Sequence, residues 1–367
     1  MQKNFKLVIL LLSLCTMYSC GNQDKESDNS TLFPTCDVVN QTNDPEQVSE
    51  FLNSGKVVKL ETNDSSLIGG RFTKILKRNS QFYVRSFNDV IVFDSAGKYL
   101  RKLSKVGNGK DEYATIEDYD VIDRDNGQEI WIASQKDVLR YDSKSFDYLG
   151  KISTDDYVNK FFYVNDTTII TETPGEQTLR IIDINGNVRK TYLDKDVANL
   201  VSKPIQFRKM GDNVIYQIES TDKAVVYSPA DDSFSTVDII PDSDKLLSVE
   251  DNREYYDKYG YMEFPDKIAE NFITISAFQM YGPQYALTSF HPDGSRMITI
   301  GDEKGSYSRL LSDDVIRLKD GITVNSPRFL LITIACDSDR GLLFMIPSED
   351  IEGENPDANP SLLDIEL

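Results

Sequence analysis

From about residue 51 to residue 367, apolar residues fall in short alternating or continuous runs of roughly four to eight, bounded by Gly, Asn, Asp and Ser, and a 3.6-residue period is scarce. The clearest unit is Gln81 to Leu103: a strand at Phe82–Arg85, a turn near Asn88-Asp89, a strand at Val90–Phe93, a turn at Asp94-Ser95-Ala96-Gly97 and a strand at Tyr99–Leu103. The same pattern returns from Glu129 to Ile152, with Tyr141-Asp142 standing where Phe93-Asp94 stood. Further copies run through Thr178–Leu193 with Asp183 and Gly186, through Ala224–Ile239, and through Tyr285–Ile300 with Pro292-Asp293-Gly294. Asp94, Asp142 and Asp183 lie 48 and 41 residues apart, and Ser228 follows 45 later. A period of about 40–50 residues is that of one four-stranded propeller blade. The turn chemistry fits, because Asp caps a tight turn and Gly takes the positive φ that joins two antiparallel strands.

Five copies leave strand-like segments at both ends, Val57–Leu60 at the start and Phe329–Ile346 with Ser361–Leu367 at the finish. A ring closes without exposed edges when its first and last segments share a blade. The predicted fold is therefore all-β, a six-bladed propeller over residues 51–367 with N- and C-terminal strands in one closing blade.

Three segments carry a family resemblance: Leu60-Glu61-Thr62, the run Ile91 to Leu100, and Gly107-Asn108-Gly109-Lys110-Asp111-Glu112-Tyr113. They resemble the six-bladed β-propeller lipoproteins of Bacteroidetes, related in architecture to NHL-repeat and TolB-like propellers. The third segment matches that family's Gly-x-Gly-Pro-x-Glu-Tyr signature except that Lys110 replaces proline. The resemblance implies the fold and an envelope location, and no general activity.

The N-terminal residues add a destination. Lys3 and Lys6 precede the apolar run Leu7–Leu14, which is too short to span a membrane, and Ser19-Cys20 closes the segment. Residues 1–19 are expected to be a signal peptide. The Met17-Tyr18-Ser19-Cys20 ending resembles a bacterial lipobox, which implies acylation of Cys20 and an outer-membrane lipoprotein on the periplasmic or cell-surface face. Residues 20–50, rich in Asn, Gln, Asp, Ser and Thr, read as a lipidated flexible tether. The acidic cluster Gln23–Asp28 reads either as solvated linker or as a surface-export signal of such lipoproteins.

Charge narrows the partners. Removing two lysines with the signal leaves 38 basic and 60 acidic side chains, a formal charge of −22. Such a chain repels phosphate backbones and anionic headgroups, so nucleic acid is excluded and the membrane is reached through the lipid. Cys36 and Cys336 are the thiols left over, and export permits a disulfide between them. Cys336, ending the apolar run from Phe329, reads rather as a buried small hydrophobe.

No sequence motif announces catalysis. The single histidine, His291, sits in the turn His291-Pro292-Asp293-Gly294, and no nucleophile elbow, phosphate loop or paired-cysteine metal spacing occurs. Two candidate ligand sites remain. Glu112 and Tyr113 end the Gly-rich loop and could hydrogen-bond a ligand at the channel, or else cap loop amides and plug a gap between blades. Tyr255 and Tyr256 sit in the long segment Pro241–Asp266 with Tyr259 and Tyr261, and could offer flat amphipathic surface to a sugar or peptide. The same residues could instead form a short helix with its tyrosines turned inward. The expectation is a lipid-anchored, non-catalytic binding module for a glycan, peptide or envelope protein, with no cofactor specified. The rival is a metal-dependent, Ca²⁺-type hydrolase or lyase using central-channel carboxylates.

Overall fold

The structure is a computed structural model that describes residues 42–69, 74–174, 177–194, 207–218, 221, 223–238, 245–302, 305–311, 315–325 and 336–367. Six blades form a ring, the expected six-bladed propeller. Blade 1 is built from Ile75–Arg78, Gln81–Ser86, Asp89–Phe93 and Tyr99–Leu103. Blade 2 uses Asp118–Arg124, Gly127–Ser134, Asp137–Asp142 and Tyr148–Ser153, and blade 3 uses Lys160–Asn165, Thr168–Glu172, Gln177–Ile182 and Val188–Asp194. Blade 4 comprises Phe207–Met210, Asn213–Gln217, Lys223–Ser228 and Ser233–Asp238; blade 5 comprises Thr274–Tyr281, Gln284–Phe290, Arg296–Asp302 and Gly305–Leu310.

The closing blade joins both chain ends. Lys56–Lys59 pairs antiparallel with Ser361–Glu366, setting Val57 opposite Leu363, and Ser361–Glu366 pairs in turn with Gly341–Ile346. Leu342, Phe344, Leu362 and Leu363 are fully buried there, each worth roughly 1.5–3 kcal/mol against exposure. Cys336–Ser338 runs parallel to Ile75–Arg78 and ties the segment ahead of the closing blade to blade 1. Residues 329–335 of the predicted C-terminal run lie outside the described residues.

The turns that carry the repeat act as their chemistry predicts. The Asp94 carboxylate accepts from the amides of Ala96 (2.8 Å) and Lys98 (2.9 Å), and Asp183 does the same for Asn185 and Asn187. Gly97 and Gly186 take φ of +81° and +86°. A Cβ there would meet the carbonyl oxygens of Lys59 at 2.1 Å and Ser153 at 1.8 Å. Glycine is thus required twice over, for the turn and for the close approach of a neighbouring blade.

One expected boundary is corrected. Residues 42–50 belong to the domain and not to the tether. Thr42–Asn43 pairs in parallel with the last strand of blade 5, and helix α1, Pro45–Ser54, follows. The Asp44 side chain caps α1 by accepting from the Gln47 amide, Pro45 starts it, and Val48 and Leu52 are buried among Ala286, Ile298, Leu363 and Ile365. The physical reason is the period Val48, Phe51, Leu52, an amphipathic stripe cut in two by a boundary at residue 51. Residues 1–41, including the expected signal peptide, Cys20 and Cys36, lie outside the described residues. Among the described residues no helix is long and apolar enough to cross a membrane.

Cys336 is a fully buried free thiol packed with Val58, Ile75 and Leu343, and burial pushes its pKa well up.

Candidate functional site

Side chains on a strand alternate faces, so residues two apart on the innermost strand of a blade share one face. Lys74, Leu76 and Arg78 of blade 1 follow this rule, as do Asp118 and Asp120 of blade 2 and Lys160 and Phe162 of blade 3. With Phe161, Phe207 and Asp337 they line one cavity of about 20 Å³. At about 10–15 Å³ per water centre this holds one or two waters or the end of a ligand, and not a sugar ring.

The cavity wall is a network of charges matched across blades. Lys74 Nζ donates to Asp118 Oδ1 at 2.7 Å and to the Tyr119 carbonyl at 2.7 Å, while Asp118 Oδ2 accepts from the Phe161 amide at 3.2 Å. One layer along, Asp337 accepts from Arg78 of blade 1 at 2.6 Å and from Arg208 of blade 4 at 2.8 Å, one on each oxygen. Burial opposes ionisation of Asp337, but the two guanidiniums outweigh it and hold the carboxyl below the usual range. Asp120, 3.5 Å from Arg78, is pushed up by burial.

Two buried groups behind this network differ. Glu172 of blade 3 accepts from the Tyr216 hydroxyl of blade 4 at 3.2 Å, and burial pushes its carboxyl up to about 7. Lys160 is only 9% exposed, and among the described residues its side chain makes no hydrogen bond or ion pair. Burial, and then the neighbouring charge of Lys74, pull its pKa down against the attraction of Asp118 and Glu172.

The sequence-predicted residues lie elsewhere. Tyr113 is 1% exposed and packs edge-on to Tyr141 among side chains of blades 1 and 2. Its hydroxyl donates to the Asn88 carbonyl at 2.8 Å, and burial pushes its pKa up to about 12. Glu112 is exposed, and its carboxylate accepts from the Gly109 amide at 2.8 Å. A Cβ on Gly107 would lie 1.9 Å from that carboxylate, which explains the loop's first glycine.

The tyrosine-rich segment is a helix, α2, Val249–Asn271, kinked at Gly260 with φ of +69°. The Ser248 hydroxyl caps it by accepting from the Asp251 amide, and its base is held where the Ile273 amide donates to the Lys245 carbonyl. Tyr255 and Tyr256 are half-buried, with ring centres 5.2 Å from Phe272 and 5.6 Å from Phe264. The residues 241–244 and the side chain of Tyr261 lie outside the described part.

His291 Nε2 lies 3.0 Å from Ser289 Oγ, but Ser289 is fully buried and Asp293 caps the Ser295 amide, so these residues complete a hairpin. Among the described residues no three carboxylate, imidazole or thiol groups converge as a cation cage would need.

Sequence reading missed the channel residues, although the repeat holds their signal. Lys74, Asp118, Lys160 and Phe207 precede or open the innermost strands 20 to 24 residues before Asp94, Asp142, Asp183 and Ser228. Stepping back along the repeat finds all four.

The family described as Domain of unknown function (DUF4934) matches residues 33–366. Among solved structures, a protein from Bacteroides fragilis described as exported is similar at 14% identity and a TM-score of 0.64, over 84% of this chain and 94% of that one. A DUF4221 member from Bacteroides vulgatus is similar at 8% identity and a TM-score of 0.51, over 84% and 96%. At such identities the likeness is one of fold. No curated protein matches the chain.

Proposed function

The chain belongs to the DUF4934 family, and we propose that it is a lipid-anchored binding module of the cell envelope, with no chemistry of its own. One observation carries this reading. The cavity carboxylates that hydrolysis would need free are already engaged, Asp118 by Lys74, Asp120 by Arg78 at 3.5 Å, and Asp337 by Arg78 and Arg208, as is Glu172 behind them by Tyr216. General acid–base work needs a carboxyl within reach of substrate and free to change protonation there. A rigid ring with loops at its ends suits recognition instead.

In this reading Cys20 carries the lipid, and the domain stands at the outer membrane on its periplasmic or cell-surface face. The partner is a glycan, a peptide or another envelope protein. The formal charge of −20 disfavours nucleic acid. Incubation of residues 21–367 with panels of oligosaccharides and peptides tests the assignment. Binding with the ligand recovered at unchanged mass is expected, and appearance of cleaved product would overturn it.

A further inference from the structure

An unpartnered buried lysine is costly, and this one lines a cavity. Lys, Glu, Arg and Asp are almost never fully buried unless paired, because a charge removed from water must be compensated. Lys160 is 9% exposed, and among the described residues its side chain makes no hydrogen bond or ion pair, while the cation beside it, Lys74, has both a carboxylate and a carbonyl as partners at 2.7 Å. The nearby acids are not available to it. Asp118 is held through one oxygen by Lys74 and through the other by the Phe161 amide. Glu172 is bound by Tyr216 and pushed towards the neutral form by burial. Of the three cations that line the cavity, Lys74 is paired with Asp118 and Arg78 with Asp120 and Asp337, whereas the Lys160 ammonium makes no ion pair among the described residues, inside a protein whose overall charge is −20.

We propose that the cavity between Lys160 and the aromatic wall of Phe161, Phe162 and Phe207 is a binding site for a carboxylate group, with Lys160 as its counter-ion. One free positive charge matches one negative charge, which favours a carboxylate over a phosphate dianion. The volume of about 20 Å³ admits a ligand's end and leaves the rest outside the inner strands. Asp118 and Asp337 set the selectivity, since their charges repel a second anion beside the first. The inference deepens the binding-module reading and rests on it, though the two can fail separately.

The probe is acetate, titrated against the mature chain at neutral pH with sodium chloride at matched ionic strength as the reference. Acetate should raise the melting temperature of the wild type, and Lys160→Met should weaken acetate binding at least tenfold. Lys160→Met should also melt higher than the wild type in chloride alone, because it removes an uncompensated buried charge. Lys160→Arg should retain binding within a few fold. If Lys160→Met does not fold, protection of Lys160 in the wild type from an amine-reactive reagent by acetate, read by peptide mass, replaces it. No acetate-dependent shift, an equal shift in Lys160→Met, no protection, or tighter binding of inorganic phosphate than of acetate would each overturn the carboxylate site. An oligosaccharide or peptide that binds wild type and Lys160→Met equally would overturn this site while leaving the binding-module reading intact.

Discussion

Lys77 Nζ lies 2.6 Å from Asp364 Oδ2, joining the innermost strand of blade 1 to the middle strand of the closing blade. Lys77 is 2% exposed and Asp364 9%, and Glu366 on the same strand accepts from Lys77 at 2.7 Å. The strand zipper of Val57–Leu363 and Leu362–Met345 supplies the burial that closes the ring. The ion pair fixes which blade lies next to it, because a slipped closure would strand both charges in an apolar seam.

Breaking that pair from one side should cost more than removing it. Lys77→Met leaves Asp364 buried without compensation and is expected to lose roughly 3–5 kcal/mol in urea unfolding. Lys77→Met with Asp364→Leu should recover most of the loss. Equal destabilisation by the single and double variants would show that the charges are not coupled.

At the other end of the chain, acylation should depend on one atom, the Cys20 sulfur. Cys20→Ala is expected to abolish labelling by a fatty-acid analogue and to move the protein out of the membrane fraction, with the melting temperature of the domain unchanged. The domain's first described pairing is 22 residues later, at Thr42. Labelling that persists in Cys20→Ala would remove the anchor.

Tyr255 and Tyr256 should report packing. Each is half-buried against an aromatic of the same segment, Phe272 and Phe264, so neither the cost of a core aromatic, roughly 3–5 kcal/mol, nor that of a free surface residue, about 0.5 kcal/mol, applies. The double substitution to Ala should lose about 2–3 kcal/mol and reduce helical signal by circular dichroism. A loss under 0.5 kcal/mol would return these rings to the list of exposed contact residues.

The contrast between these positions shows what the sequence could carry. Asp94, Gly97, Asp183 and Gly186 were legible because turn chemistry is local: the carboxylate caps amides two and four residues on. The innermost strands were not, because Ile75-Leu76-Lys77-Arg78 and Phe207-Arg208-Lys209-Met210 place charges at positions that a hydrophobic period reads as solvent. Those charges are satisfied by residues up to 289 positions away, as Lys77 is by Asp364 and Glu366. Pairings of that kind leave no trace in spacing. Helix α1 was legible in Asp44-Pro45 and in Val48 and Leu52, and was lost only to the polar composition around it. Glu112 and Tyr113 stood out as a motif, but a motif does not separate a residue that meets a ligand from one that fills a seam.

Glu172 should make stability fall as pH rises. Its folded pKa of about 7 exceeds the ordinary 4.5 because burial disfavours the carboxylate, so between those values the native state holds a proton that the unfolded chain has released. Stability contributed by the protonated group is therefore complete below about pH 4.5, declines through the interval, and is gone above about pH 7. At 1.36 kcal/mol per unit the whole change is about 3 kcal/mol. Glu172→Gln keeps a neutral side chain of the same shape at every pH and should flatten that interval in urea unfolding series. Lys160 and the Tyr216 hydroxyl both favour the charged form of Glu172, so Lys160→Met and Tyr216→Phe should each move the decline to higher pH. A wild-type profile with no slope between pH 4.5 and 7 beyond that of Glu172→Gln would show that this carboxyl titrates normally, and would leave Lys160 with a full counter-charge on the adjacent strand of blade 3.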